Sequence, residues 1–125
     1  MLYTVDRVKI TNMPHKKDFD TWRGRLSDAD YQKVMSELSN VLDRGEVHVS
    51  SFIPGSDWTD TVYEPIYHAC DDDDELAAFF FGLLVWQAVQ NHPADWSFQK
   101  YNDQRGYDIK GMVYFRIELP KELHF

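Results

Sequence analysis

The chain has 125 residues, a formal net charge of −8 and a single cysteine, Cys70. This length fits one hydrophobic core, so residues 1–125 are predicted to form a single domain. The 15% aromatic content argues against disorder, and the lone cysteine excludes an intrachain disulfide and fits a reducing cytosol. Residues 1–20 carry charges without an apolar block, so we expect no signal peptide and a cytoplasmic location.

The negative charge is concentrated in the middle of the chain. Residues 45–99 contain ten acids and neither lysine nor arginine, whereas both ends are nearly balanced. Such a field favours a basic partner. It disfavours nucleic acid, because phosphate contacts need clustered lysine and arginine.

The chain opens with a predicted strand and a short helix. The strand covers residues 2–10. The helix follows from spacings of three and four between Phe19, Trp22 and Leu26. One face of the strand would carry Leu2, Thr4, Val8 and Ile10.

The next helix has the clearest periodicity. Apolar residues recur at helical spacing from Tyr31 to Leu42. Ser27 and Asp30 have the spacing of a capping box, with Asp in place of Glu, and Gly45 stands where a C-terminal cap belongs.

A strand and another short helix are predicted next. Residues 47–53 alternate as a strand, and a Pro-Gly pair at 54–55 closes it. The helix would begin near Thr61, because Thr61 and Glu64 repeat the capping-box spacing and Pro65 would lie in the first turn.

Residues 72–91 are predicted to form the longest helix, at the centre of the core. The segment is apolar on all sides through its middle, and Pro93 follows it. It is too short for a membrane span, which needs ~20 predominantly apolar residues. A single sheet covers only one side of a helix, so the other side requires the remaining helices or a second subunit. A homodimer is expected on this ground.

The C-terminal part is predicted to be a β-hairpin. Residues 96–101 alternate, and residues 102–106 form the turn. The order of elements predicts an α+β fold, with helices packed on one face of a mostly antiparallel sheet of about four strands. One face of the last strand would carry Ile109, Val113, Phe115, Ile117 and Leu119.

An acidic run opens the long helix: Asp71, Asp72, Asp73, Asp74 and Glu75. Acids at a helix N-terminus occupy cap positions and face the positive end of the helix dipole. Five adjacent acids also repel one another, so capping alone does not explain their number. The run predicts contact with a basic protein. Calcium is disfavoured, because no turn glycine follows the acids.

The loop around Trp58 is a second candidate. It places a tryptophan among small polar residues between a strand and a helix, where loops often carry function. An aromatic pocket for a small apolar or cationic ligand would use Trp58, Tyr63, Tyr67, Trp86 and Trp96. The alternative is that Trp58 closes the end of the core.

An enzyme is the third possibility. Asp57, Asp60, Glu64 and His68 would form a carboxylate–histidine cluster for acid–base chemistry. The histidines match no zinc-binding spacing and the glycines match no nucleotide-binding loop, so neither metal nor cofactor is predicted. Cys70 is predicted to be structural, because neighbouring acids oppose a thiolate.

The sequence therefore predicts a small cytosolic protein of bacterial type that acts by binding. The leading hypothesis is an acidic protein-interaction module, of the decoy or immunity kind, and a homodimer. A small-ligand-binding domain and an enzyme are the alternatives.

Overall fold

The computed structural model describes residues 1–4, 6–45, 47–48, 60–100 and 112–117, with the backbone alone at 47, 48, 100 and 112. These residues form an α+β fold, as predicted. The helices are α1 (Lys16–Arg25), α2 (Asp28–Leu42), α3 (Glu64–Ala69) and α4 (Asp74–Asn91). The strands are β1 (Leu2–Tyr3), β2 (Lys9–Ile10), β3 (Val47–His48), β4 (Trp96–Lys100) and β5 (Met112–Arg116).

The strands form one mixed sheet in the order β2-β1-β4-β5-β3. β1–β2, β4–β5 and β3–β5 are antiparallel, and β1–β4 is parallel. The predicted pairing of the two C-terminal strands is confirmed, with Trp96 opposite Arg116 and Phe98 opposite Tyr114, and the predicted turn at 102–106 lies outside the described residues.

The first predicted strand is wrong as a single element. The chain turns back on itself, so residues 2–10 give the two paired strands β1 and β2. Thr4 N donates to Val8 O at 2.9 Å, and Arg7, with φ 67°, donates its N–H to Thr4 O at 2.9 Å. The polar residues Asp6 and Arg7 form this turn, and it leaves Val8 60% exposed.

The predicted caps of α2 are confirmed, and the predicted cap of α3 is wrong. Ser27 caps α2, because its Oγ accepts from Asp30 N at 3.1 Å. Gly45 lies beyond the end of α2 at φ 118°, a conformation that favours glycine. The capping box predicted for α3 is wrong. The helix begins only at Glu64, and Thr61 Oγ1 accepts from the N–H of Tyr63 instead of that of Glu64.

Helix α4 is buried on all sides within one chain. The sheet covers one side, where the Trp86 and Phe98 ring centroids lie 5.2 Å apart. Helices α1, α2 and α3 cover the other sides. The ring centroids of Trp22 in α1 and Phe80 in α4 lie 5.6 Å apart. The argument for a homodimer from an uncovered α4 therefore does not hold, and the homodimer itself stays a prediction. In the described part of the chain no helix has the length and apolar character needed to span a membrane.

Both ends of α4 are capped by charged groups. Asp73 Oδ1 accepts from the N–H groups of Glu75 (2.9 Å) and Leu76 (3.0 Å), so the helix begins at Asp74, two residues later than predicted. At the other end the Met1 ammonium donates to the carbonyl oxygens of Val89, His92 and Ala94. A cation is favourable there, because the last helical carbonyls carry partial negative charge.

His92 ties α2, α4 and β4 together from a buried position. Its Nδ1 accepts from Ala94 N and Trp96 Nε1, both at 3.1 Å. Since both partners are donors, the ring proton lies on Nε2 and is donated to Asp43 Oδ1 at 2.7 Å. His92 is therefore a structural histidine with every ring nitrogen bonded.

Strand β5 directs Tyr114 into the core. Tyr114 is fully buried beside Trp86, whereas Val113, Phe115 and Ile117 of the predicted apolar row are only half-buried. The predicted alternation is confirmed, but the row that packs against the helices is the one that contains Tyr114. Within the described residues the Tyr114 hydroxyl has no hydrogen-bond partner, and burial raises its pKa.

We expect Tyr114→Phe to leave the free energy of unfolding unchanged or to raise it by about 1 kcal/mol, because an unpaired buried hydroxyl is unfavourable. Urea unfolding measures the change. Trp96→Phe is the comparison variant, and it should destabilise by more than about 1 kcal/mol, because it removes the bond to His92 and leaves a cavity at a fully buried position. A loss of more than about 1 kcal/mol in Tyr114→Phe would show that the hydroxyl has a partner.

Candidate functional site

The acidic run forms an exposed turn between α3 and α4. All of its residues, 71 to 75, are exposed. Asp71 and Asp72 both have φ 57°, in the left-handed region. The turn is closed by Asp72 N donating to Tyr67 O at 3.0 Å and by Asp73 N donating to Cys70 O at 3.1 Å. We call residues 71–75 the acidic turn.

Two side chains from neighbouring elements pair with the acidic turn. Arg25 Nη1 donates to Asp71 Oδ2 at 3.2 Å and to Ala69 O at 3.1 Å. His68 Nδ1 lies 2.7 Å from Asp72 Oδ1. The side chains of both pairs are between 46% and 79% exposed, so each pair contributes only ~0–1 kcal/mol to stability.

A cleft of about 260 Å³ opens beside the acidic turn. Its walls come from the junction of α1 and α2, the first turn of α2, and α3. The lining residues are Arg25, Leu26, Ser27, Asp30, Pro65, His68 and Ala69. Arg25 and His68 thus belong both to the cleft and to the ion pairs of the acidic turn.

Asp30 differs from the other charged residues of the cleft. Its backbone N–H is bonded to Ser27 Oγ, but the carboxylate does not return the second bond of a capping box. Within the described residues the structure gives this carboxylate no hydrogen-bond or ion-pair partner. Asp30 is half-buried, so the cleft contains one carboxylate that the fold itself does not neutralise.

Cys70 lies below the acidic turn as a buried free thiol. Burial raises the pKa of Cys70 from its ordinary 9.0 to about 12, Arg25 opposes this shift, and Asp71 and Asp73 add to it. The thiol is therefore protonated at neutral pH and poorly suited to act as a nucleophile, in line with the structural role predicted for it.

The acid–base cluster predicted for an enzyme is only partly described. Asp57 lies outside the described residues. Asp60 is exposed at φ 62°, and Glu64 and His68 lie one turn apart on α3. The carboxylate that contacts His68 is Asp72, which was not in the predicted set. An enzymatic role stays a prediction.

The aromatic residues predicted to line a ligand pocket lie in different surroundings. Trp58 is outside the described residues. Trp86 packs on Phe98 of the sheet, while Trp96 donates its indole N–H to His92. Near α3, Tyr63 contacts Phe81 and Tyr67 contacts the His68 ring. The ligand-binding alternative stays a prediction.

The chain matches none of the protein-family models, curated proteins or solved structures with which it was compared. Among the described residues, no group of three or more histidine, cysteine or acidic side chains is placed to hold a metal ion. The acidic turn and the cleft are therefore the candidate functional sites of the described structure.

The sequence singles out residues 71–75 as a candidate site but gives no sign of the cleft. Arg25 and Asp71 are 46 positions apart in the chain, and no local pattern links them. The capping-box spacing predicts that the Asp30 carboxylate is bonded at the start of α2, so the sequence gives no reason to expect it without a partner.

Asp73 provides a test of which acid the helix needs. We expect Asp73→Ala to lower the free energy of unfolding by about 1 kcal/mol, because the first N–H groups of α4 lose their acceptor. Asp73→Asn keeps an acceptor oxygen, so its free energy of unfolding should fall by less than that of Asp73→Ala. Urea unfolding measures both, and equal losses would show that the charge rather than the cap is responsible.

The raised pKa values predict instability at alkaline pH. Burial, with a smaller contribution from Glu37, raises the pKa of Tyr63 from 10.0 to about 12, close to that of Cys70. As the pH rises, Tyr63 and Cys70 lose their protons in the unfolded chain before they do so in the folded protein. The free energy of unfolding should therefore be at its full value below pH about 9 and fall towards pH 12. Urea unfolding near pH 8 and pH 11 tests this, and Cys70→Ala should show a weaker decline. Tyr63→Phe is the matched variant, and an unaltered decline in both would contradict the assignment.

Proposed function

We propose that the protein acts by binding a basic protein through the acidic turn. The observation that supports this most directly is that residues 71–75 present consecutive acids to solvent at one turn. Asp73 is the acid that caps α4, and in the described part of the chain its neighbours Asp71 and Asp72 pair with the exposed side chains of Arg25 and His68.

The backbone of the turn does not require its charges. Asp71 and Asp72 are consecutive residues in the left-handed region, which glycine, asparagine and aspartate all adopt. Glycine or asparagine would close the same turn without adding charge.

The negative field of the turn is available to a partner. Desolvation raises the pKa of Tyr67, and the charges of Asp74, Asp72 and Asp73 raise it further. The pairs with Arg25 and His68 are exposed and weak, so a partner's lysines or arginines can replace them at little cost. A basic partner would also relieve the repulsion among adjacent carboxylates.

A cytoplasmic location, expected from the lone cysteine, belongs to the same proposal. The homodimer is retained as a proposal that sedimentation velocity tests. Because α4 is covered by its own chain, a second copy would have to bind another surface.

The test uses a synthetic lysine-rich peptide and a matched peptide with glutamine at every lysine position. We expect the lysine peptide alone to bind, with an affinity that falls steeply as salt screens the charges. The variant Asp71→Asn/Asp72→Asn/Asp74→Asn should bind about tenfold more weakly, since each charge pair is worth up to ~1 kcal/mol. Fluorescence anisotropy of labelled peptide measures both effects.

The control variant is Asp6→Asn/Asp18→Asn/Asp20→Asn. It removes the same charge from other exposed positions and should keep most of the affinity. Equal weakening in the two triple variants would mean that net charge alone governs binding, and it would overturn the assignment to the acidic turn. Binding that does not depend on salt would do the same.

A further inference from the structure

We propose that the cleft beside the acidic turn binds the cationic side chain of a lysine or arginine from the partner. This inference rests on the proposed function, because the same basic partner would contact the acidic turn and place one side chain in the cleft. The acidic turn would then attract the basic partner electrostatically, and the cleft would hold one of its cationic side chains in place.

The size and lining of the cleft fit such a side chain. Its volume of about 260 Å³ exceeds the ~150 Å³ of a cavity that holds benzene and lies below the ~300 Å³ at which drug-sized pockets begin. Leu26, Pro65 and Ala69 supply the apolar part of the lining. Long cationic side chains lay their aliphatic stems on such surfaces and keep the charged end in a polar place.

The charges in and around the cleft favour a cation. Arg25 is already bonded to Asp71 and to the Ala69 carbonyl, and His68 is paired with Asp72. The carboxylate of Asp30 is the charged group of the lining for which the described structure shows no partner. An ammonium or guanidinium group would give it one, in a charge-assisted hydrogen bond.

A small anion is the competing occupant, because Arg25, His68 and Ser27 all line the cleft. It would have to displace Asp71 from Arg25 and then lie near the unpaired carboxylate of Asp30. That arrangement brings like charges together in a half-buried place, which is unfavourable. The observations therefore favour the cation.

The test is an NMR titration of the full ¹⁵N-labelled chain with n-butylammonium and n-butylguanidinium chloride. n-Butanol is the neutral control, and sodium chloride is the control for ionic strength. We expect saturable shifts of the backbone amides of Leu26, Ser27, His68 and Ala69 with at least one of the two cations, and none with n-butanol.

Asp30→Asn should weaken this binding about tenfold or more, because it removes the charge from the acceptor of the new hydrogen bond. Asp28→Asn is the matched control. Asp28 lies in the same first turn of α2, but its side chain is 94% exposed and pairs with Arg23, so binding should change by less than about twofold. Circular dichroism checks that both variants are folded.

Several results would overturn the inference. Shifts confined to residues 71–75 would show that cations bind the acidic turn and not the cleft, and would leave the proposed function standing. Saturable shifts with inorganic phosphate but with neither cation would assign the cleft to anions. Equal losses in Asp30→Asn and Asp28→Asn would mean that the summed negative charge of the two carboxylates in the first turn of α2, rather than the cleft, attracts the cation.

The two proposals fail separately. Unchanged peptide binding by the Asn variant of the acidic turn would overturn the proposed function. If the butylammonium shifts in the cleft survive in that variant, the cleft is a cation site in its own right.

Discussion

Helix α4 has no polar side, and this constraint governs the rest of the structure. Its apolar residues are buried from Ala77 to Val89 with few exceptions. Burying each large apolar side chain is worth ~1.5–3 kcal/mol, so every side of the helix must be covered. The sheet covers one side and α1, α2 and α3 cover the others, so the middle of α4 is enclosed by its own chain. Function must therefore lie at its ends or on the elements around it.

The ends of α4 must be satisfied in different ways, because the first N–H and last C=O groups have no partners inside the helix. At the start, Asp73 accepts from the first free N–H groups and marks the point where the chain enters solvent. At the other end the Met1 ammonium binds the free carbonyls. The buried ring of His92 then links this end to Asp43 and Trp96. The second end is tightly bonded within the fold, whereas the first keeps its carboxylates in water.

The sequence predicted the elements better than their faces. The length of the apolar run and the position of Pro93 located α4, and alternation located the hairpin. Alternation does not show which of the two rows of side chains faces the core. In β5 the buried row is the one that contains Tyr114, which lies opposite the row of Trp96 and Phe98 in β4. The prediction of a single first strand is wrong because the chain turns at Asp6 and Arg7. These two polar residues are the only interruption of a pattern that otherwise suits a strand.

The cleft was beyond prediction, since it joins residues 25–30 to residues 65–69, which only the packing of α1 and α2 against α3 brings together.

The acidic turn and the cleft have a common structural origin in Arg25. One guanidinium nitrogen bonds the last residue of α3, through the Ala69 carbonyl, and also the first acid of the turn, Asp71. This contact places the turn next to the cleft. The carboxylates of the turn outnumber Arg25 and His68, the basic side chains that pair with it in the described structure. Because the pair with Asp71 is exposed and weak, a cation arriving at the turn can compete with Arg25 without disturbing the core. The free protein thus already contains a weak internal version of the contact that we propose for its partner.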